Sequence, residues 1–241
     1  MNINPKFVDL SHYDDLQDID KVKAAGIVGI INKVTEGPGM VDKTFAIRKS
    51  VVLGAGLKYG AYHFLRPGDQ AQHAEHYLNA VGDMTGLLPC GDWEDPKVSV
   101  EAATQWFGTV KDKIGRWPVC YSYASMLAEM FGHKANAVFT QMRLWVARYG
   151  EAPYWPTQIW EKPWGWQYTD GKNGPLPHTI AGIILPGQPG IDINSYAGSD
   201  DQLAAEWSGE PAAQAPAAAA PADSSLLGAV EAAADKLIGN L

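Results

Sequence analysis

Cysteine is scarce in this chain. Only Cys90 and Cys120 occur in 241 residues, which excludes a disulfide framework. Two buried free thiols are the simpler reading. Positive charge is also short: 19 Lys and Arg stand against 27 Asp and Glu, for a formal net charge of −8. That balance argues against a dedicated nucleic-acid binder, which needs a basic face to neutralise phosphates. No stretch approaches the roughly 20 apolar residues of a membrane span, so stable membrane insertion is not expected. The opening residues Met1 to Leu10 lack the basic-then-apolar run of a secretory signal. What the chain does have is 46% hydrophobic against 19% charged residues, the balance of a soluble globular protein.

Composition changes after Trp207. Residues 208–222 read SGEPAAQAPAAAAPA, a Pro/Ala stretch expected to act as a semi-rigid linker. Residues 223–241 show helical spacing. Ser224 or Ser225 can serve as N-cap, and Leu226, Val230, Ala233, Leu237 and Leu241 share one stripe. An acidic amphipathic helix of this kind suits docking on the domain or weak self-association of an otherwise monomeric chain better than a membrane surface. The main domain is therefore placed at residues 1–207.

Within it, short apolar runs alternate with helix-like segments, the signature of repeated βα units and hence of an α/β fold. The strand-like runs are KFVDLS, GIVGIINKVT, LKYGAYHF, LLPCGDWE, RWPVCYSY, LWVARYG, GWQYTDG and GIDINSY. Helices are expected near Asp18–Ala25, over Lys43–Leu53 with Asp42 as cap, over Asp69–Val81 and Val98–Ile114, and briefly over Ser125–Gly132. The last three strands are joined mainly by turns. Eight parallel-type strands, five of them with helices, suggest a TIM-like barrel short of outer helices.

In such a barrel, function sits where the parallel strands end. The first strand ends in Asp9, the fourth in Asp92-Trp93-Glu94 and the last in Asp192-Ile193-Asn194. Alternate residues share a face, so Asp92 and Glu94 project together, about 6.6 Å apart along the strand. Like charges brought close raise each other's pKa, so their convergence calls for a reason. A bound metal would be one and general acid/base chemistry another; glycoside hydrolysis needs a carboxyl kept protonated for the leaving oxygen beside an ionised partner. Glu94 is the natural candidate for the raised pKa. Five of the nine Trp fall between Trp145 and Trp166, interleaved with Tyr149, Tyr154 and Tyr168. Flat rings of this kind can stack on sugar faces, so the cluster is expected to contribute a binding platform.

These motifs, in this order, resemble the glycoside hydrolase family 25 lysozymes, the Chalaropsis-type muramidases. FVDLSHY carries Asp9; INKVTEG is similar to the family's second strand, with Lys33 and Glu36. YGAYHFLRP carries Tyr62, GDWED carries Asp92 and Glu94, and VCYSY and LWVARYG carry Tyr121 and Trp145. WGWQYTDG and GIDINSY carry Gln167 and Asp192. The resemblance implies a modified (β/α)5β3 barrel that cleaves the β-1,4 bond between N-acetylmuramic acid and N-acetylglucosamine in bacterial peptidoglycan, without a cofactor or metal. It implies Glu94 as general acid/base and Asp92 as the residue that orients the substrate's N-acetyl group as internal nucleophile. Asp9 and Asp192 would bind sugar or tune Glu94; Lys33, Glu36, Tyr62, Tyr121, Trp145 and Gln167 would line the substrate site. A bacteriophage endolysin, held in the host cytoplasm before release to the wall, is the expected role.

Two rivals stand beside this reading. A metal-dependent carbohydrate hydrolase would use Asp9, His12, His63, His73 and His76. The spacing of His73 and His76 suits a metal, but both should look outward, away from an Ala71/Ala74/Leu78/Val81 face. A non-catalytic wall-binding barrel is the other, and an intact Asp-x-Glu argues against it.

Overall fold

Each expected run becomes a strand because its apolar residues alternate between two hydrophobic surfaces, one inside a cylinder and one beneath helices. The computed structural model describes residues 3–208. The terminal helix expected at 223–241, and all of the linker after Ser208, lie outside the described residues. The strands are β1 (Phe7–Leu10), β2 (Gly29–Glu36), β3 (Lys58–Phe64) and β4 (Leu88–Asp92). They continue with β5 (Val119–Tyr123), β6 (Leu144–Ala147), β7 (Gly165–Asp170) and β8 (Asp192–Ser195). Each pairs with its neighbour, and β1 pairs with both β2 and β8, which closes the barrel. Helices α1 (Ile19–Ala24), α2 (Thr44–Gly54), α3 (Gln70–Val81), α4 (Val100–Ile114) and α5 (Ala124–Phe131) follow the first five strands.

One expectation about direction is corrected. β1 to β7 run parallel, but β8 is antiparallel to both β7 and β1. The reason is the connection. A parallel return needs a crossover, usually a helix, to carry the chain back to the other end. Residues 171–191 hold no such helix, and they join the end of β7 to the start of β8 at the same rim, where Asp170 faces Asp192. Asp192 therefore opens its strand instead of closing it, and still lies at the mouth.

The helices depart from expectation at two points. The residue before α2 is Lys43, which makes no side-chain cap. Asp42, one position earlier, accepts from the Thr44 backbone N–H at 2.9 Å and from the Thr44 hydroxyl at 2.6 Å. On α3 the buried residues are Gln70, His73, Ala74, Tyr77 and Val81. His73 thus faces inward, 2% exposed, because Tyr77 and not Leu78 leads the packed stripe and turns the face toward residue 73.

A sixth helix, α6 (Asp200–Trp207), follows β8 where the sequence pattern predicts none. Ser199 caps it in a box with Gln202. It closes the barrel floor. The Trp207 indole donates to the Tyr59 carbonyl at 2.9 Å and its ring meets Phe7 and Trp164 at 5.9 and 6.0 Å. Gly29 makes room: a Cβ there would lie 2.6 Å from the Trp207 ring. Phe7, Ile31, Leu88, Val119 and Trp145 complete the apolar lower interior.

Candidate active site

The same alternation that puts Phe7 on the floor puts Asp9 two residues higher. Burial is the largest influence on its carboxyl, and the hydrogen bonds from Asn194 and Gln167 oppose it; the result is a pKa pushed up to about 7. The contacts are specific. The Asn194 amide donates to Asp9 Oδ1 at 2.7 Å, and the Gln167 amide donates to both Asp9 oxygens at 3.1 and 3.0 Å. The Gln167 carbonyl accepts from the Tyr121 and Tyr149 hydroxyls at 2.8 and 2.7 Å. The Trp145 indole donates to Asn194 Oδ1 at 2.6 Å. Tyr121, Trp145, Gln167 and Asn194 thus form one network that fixes Asp9.

Asp92 ends β4 and Glu94 lies just beyond it. Between them Trp93 turns outward, fully buried, with its indole donating to the Val98 carbonyl at 2.9 Å. That anchor directs Asp92 and Glu94 to the interior, as the alternation requires. Their carboxyls influence each other's titration. Burial raises both. Glu94 then adds to Asp92's shift, while Lys33 pulls the pair back toward ionisation and Arg66 does so for Glu94. Asp192 is half-buried; burial raises its pKa and Asp9, Asp14, Asp170 and Glu94 add to the effect. Tyr62 sits among these acids: burial first, then Asp92, Asp9 and Asp192, hold its phenol protonated.

The rim beside the pair is an ion network. Lys33 Nζ contacts Glu36, and Arg66 reaches Glu36 at 2.7 Å and Asp95 at 3.3 Å. Both cations lie over the Phe64 ring, at 5.0 and 4.4 Å. Burial alone would raise Glu36, but its two cationic partners outweigh that and hold it below the usual range. Glu36 is thereby a bridge between two cations.

The open part of the site is a cleft of about 480 Å³, lined by Glu94, Tyr123, Ser125, Arg148, Tyr149, Tyr154 and Asn173. A larger cavity of about 810 Å³ lies at the opposite ends of the strands, lined by residues such as Asp83, Lys113 and Arg116. It touches none of the acids, so chemistry, not size, identifies the site.

The expected tryptophan platform is corrected. Trp145, Trp160 and Trp164 are buried at 2, 4 and 6% exposure, and Trp155 and Trp166 are half-buried with indoles donating to backbone carbonyls. Trp145 therefore acts through Asn194. The rings on the cleft are tyrosines instead. The histidines lie elsewhere. His12 contacts Asp42 at 3.1 Å, His63 contacts Thr35 at 2.8 Å and stacks on Trp106, and His76 contacts the Met40 carbonyl. Sequence reasoning gave no role to Asn194, Asp14, Arg66 or Arg148. Asn194 was visible as the same-face neighbour of Asp192; the arginines carry no local signal, because their significance depends on what faces them.

A closed barrel whose mouth gathers four carboxyls with raised pKa values is the arrangement a barrel glycosidase needs. The model of the glycosyl hydrolases family 25 matches residues 8–175, and the chain belongs to that family. Among curated relatives it is similar to the autolytic lysozyme of Clostridium acetobutylicum, 27% identical over 214 residues. That match covers 83% of this chain and 63% of the relative, so the chain spans somewhat less than two thirds of that protein. Among solved structures it is similar to the bacterial lysozyme from Streptomyces coelicolor, with a TM-score of 0.72 and 24% identity over 88% of this chain and 99% of that one. It is also similar to the CTP1L endolysin, with a TM-score of 0.60 and 23% identity over 84% of this chain and 70% of the other. At these identities the likeness is one of fold.

Proposed function

We propose that the protein is a muramidase, cleaving the β-1,4 bond between N-acetylmuramic acid and N-acetylglucosamine in bacterial peptidoglycan. The observation that carries this reading is the placement of buried Asp92 beside cleft-lining Glu94 at the barrel mouth of a family 25 chain. Retention is the expected outcome, because Asp92 ends β4 and Glu94 follows on the same face, so Asp92 can orient the substrate's N-acetyl group while Glu94 handles the proton. Glu94 is the proton donor in this scheme, because it lines the open cleft while Asp92 is buried beneath it. Burial raises the Glu94 pKa, which favours the protonated form the leaving oxygen needs.

Asp92 then accepts from the N–H of the substrate's N-acetyl group and aims its carbonyl oxygen at the anomeric carbon. The glycosidic bond breaks as that oxygen bonds to carbon, and the leaving sugar takes the Glu94 proton. Water next attacks the same carbon, returns its proton to Glu94 and releases the N-acetyl group. In their ionised forms Asp9, held by two amides, and Asp192 stabilise the positive charge that develops on the sugar. Tyr123, Tyr149 and Tyr154 offer rings to sugar faces. The scheme needs water alone and no cofactor.

Digestion of purified walls tests it. Mass spectrometry should find fragments whose new reducing ends are N-acetylmuramic acid. New N-acetylglucosamine ends, or intact walls, would overturn the reading. A phage endolysin role, with the enzyme waiting in the host cytoplasm, rests on family resemblance. Expression should lyse a bacterial host only when a membrane-perforating protein is co-expressed; lysis without one would contradict that role.

A further inference from the structure

The cleft contains a cation whose charge is not neutralised within the described fold. Arg148 directly follows β6, is exposed, and lines the cleft with Glu94, Tyr123 and Tyr149. Its guanidinium carbon lies 5.3 Å from the centre of the Tyr154 ring, which holds the planar group beside the opening. The cations at the β2–β4 rim are engaged: Lys33 with Glu36, and Arg66 with Glu36 and Asp95. Among the described residues, Arg148 pairs with no acidic side chain.

Arginine in this state has a rigid fork of donors that matches a carboxylate. The N-acetylated sugar backbone of a wall strand is neutral. Its anions hang from the 3-O-lactyl arm of muramic acid, as a free lactyl carboxylate or as carboxylates of the attached peptide stem. The acids of the mouth repel such groups when ionised, and Arg148, which lines the same cleft as Glu94, offsets that repulsion where the muramidase reading seats a muramic residue. We propose that Arg148 is a specificity-determining residue that receives a carboxylate borne by the lactyl arm of the substrate. The inference rests on the muramidase reading and names the part of the substrate that the acids and tyrosines leave unread.

Three soluble glycan strands test it: one bearing peptide stems, one stripped by an amidase to free lactyl carboxylates, and one stripped and converted to the neutral methylamide. The measurement is kcat/KM by reducing-end release for wild type, Arg148→Gln and Arg148→Lys. Wild type should prefer a carboxylate-bearing strand over the neutral one by roughly fivefold, the scale of a partly exposed charge-assisted contact. Arg148→Gln should bring that ratio close to one, Arg148→Lys should keep part of it, and about 0.5 M salt should shrink the wild-type preference. Preference for the stripped strand identifies the lactyl carboxylate as the ligand; preference confined to the peptide-bearing strand identifies the stem. An Arg148→Gln ratio equal to wild type on both charged strands overturns the proposal while leaving the muramidase reading intact. A wild type that cleaves none of the three defeats both.

Discussion

At the floor of the barrel, Phe7, Trp145, Trp164 and Trp207 fill the interior ring against ring. At the mouth of the same barrel, Asp9, Asp92, Glu94 and Asp192 crowd together with raised pKa values. The strands are continuous from one end to the other, so the contrast lies in which residue occupies each inward position. On β1 it is the step from Phe7 to Asp9; on β4, from Leu88 through Cys90 to Asp92. A sequence selected for stability alone would continue the apolar layers upward, because buried carboxyls disfavour the folded state when ionised. Their gathering at one end is what the proposed chemistry needs, and the aromatic floor supplies a rigid base beneath them.

Breaking the floor should have the largest effect on stability. Trp207→Ala removes the indole that seals α6 against Phe7 and Gly29, and should cost about 3–5 kcal/mol. Urea denaturation measures it; a loss under about 1 kcal/mol would mean that the floor does not support the barrel. The folded fraction should still cleave walls, since Trp207 lies far from the mouth.

The pH dependence of stability probes the mouth. Folded Asp9 keeps its proton up to a pKa of about 7, against an ordinary value of 3.8. The folded state therefore binds more protons in between. The contribution of Asp9 to stability is fully present below pH 3.8 and is lost as pH rises through about 7. The stability of wild type minus that of Asp9→Asn should fall between those values, and a flat difference would contradict the account. His63 works in the opposite sense. Burial, then His73, pushes its pKa down from 6.5 to about 3, so its contribution is present above 6.5 and lost as pH falls. That slope is common to both proteins and cancels in the difference. The smallest effect belongs to the cleft edge: Tyr154→Ala should raise KM about threefold with kcat unchanged, the scale of one lost ring contact. A change in kcat instead would place Tyr154 closer to the reacting bond.

Much of this was legible in the sequence. The eight strands follow from apolar runs, and the Asp92/Glu94 convergence follows from two-residue periodicity. Asp9 follows from its position near the end of β1, whereas Asp192 reaches the mouth by opening an antiparallel strand and not by ending a parallel one. What was not legible depended on partners distant in sequence. The direction of β8 is set by a helix-free connection that periodicity does not reveal. The tryptophans between 145 and 166 look like a platform until the layers that cover them are known. His73 reads as surface when the packed face is taken as Ala71/Ala74/Leu78/Val81, yet α3 buries Gln70 and His73 beside Tyr77. α6 is too short and too polar to announce itself, although Leu203 and Trp207 are fully buried.

The central claim is that Glu94 delivers the proton. Glu94→Gln keeps the shape of the side chain and removes the titrating group. The account predicts that kcat on purified walls falls by about 10³-fold, within the range of lost general acid catalysis. It also predicts that thermal stability is unchanged or raised, because one buried acid is gone. A variant that clears walls within tenfold of wild type would contradict it.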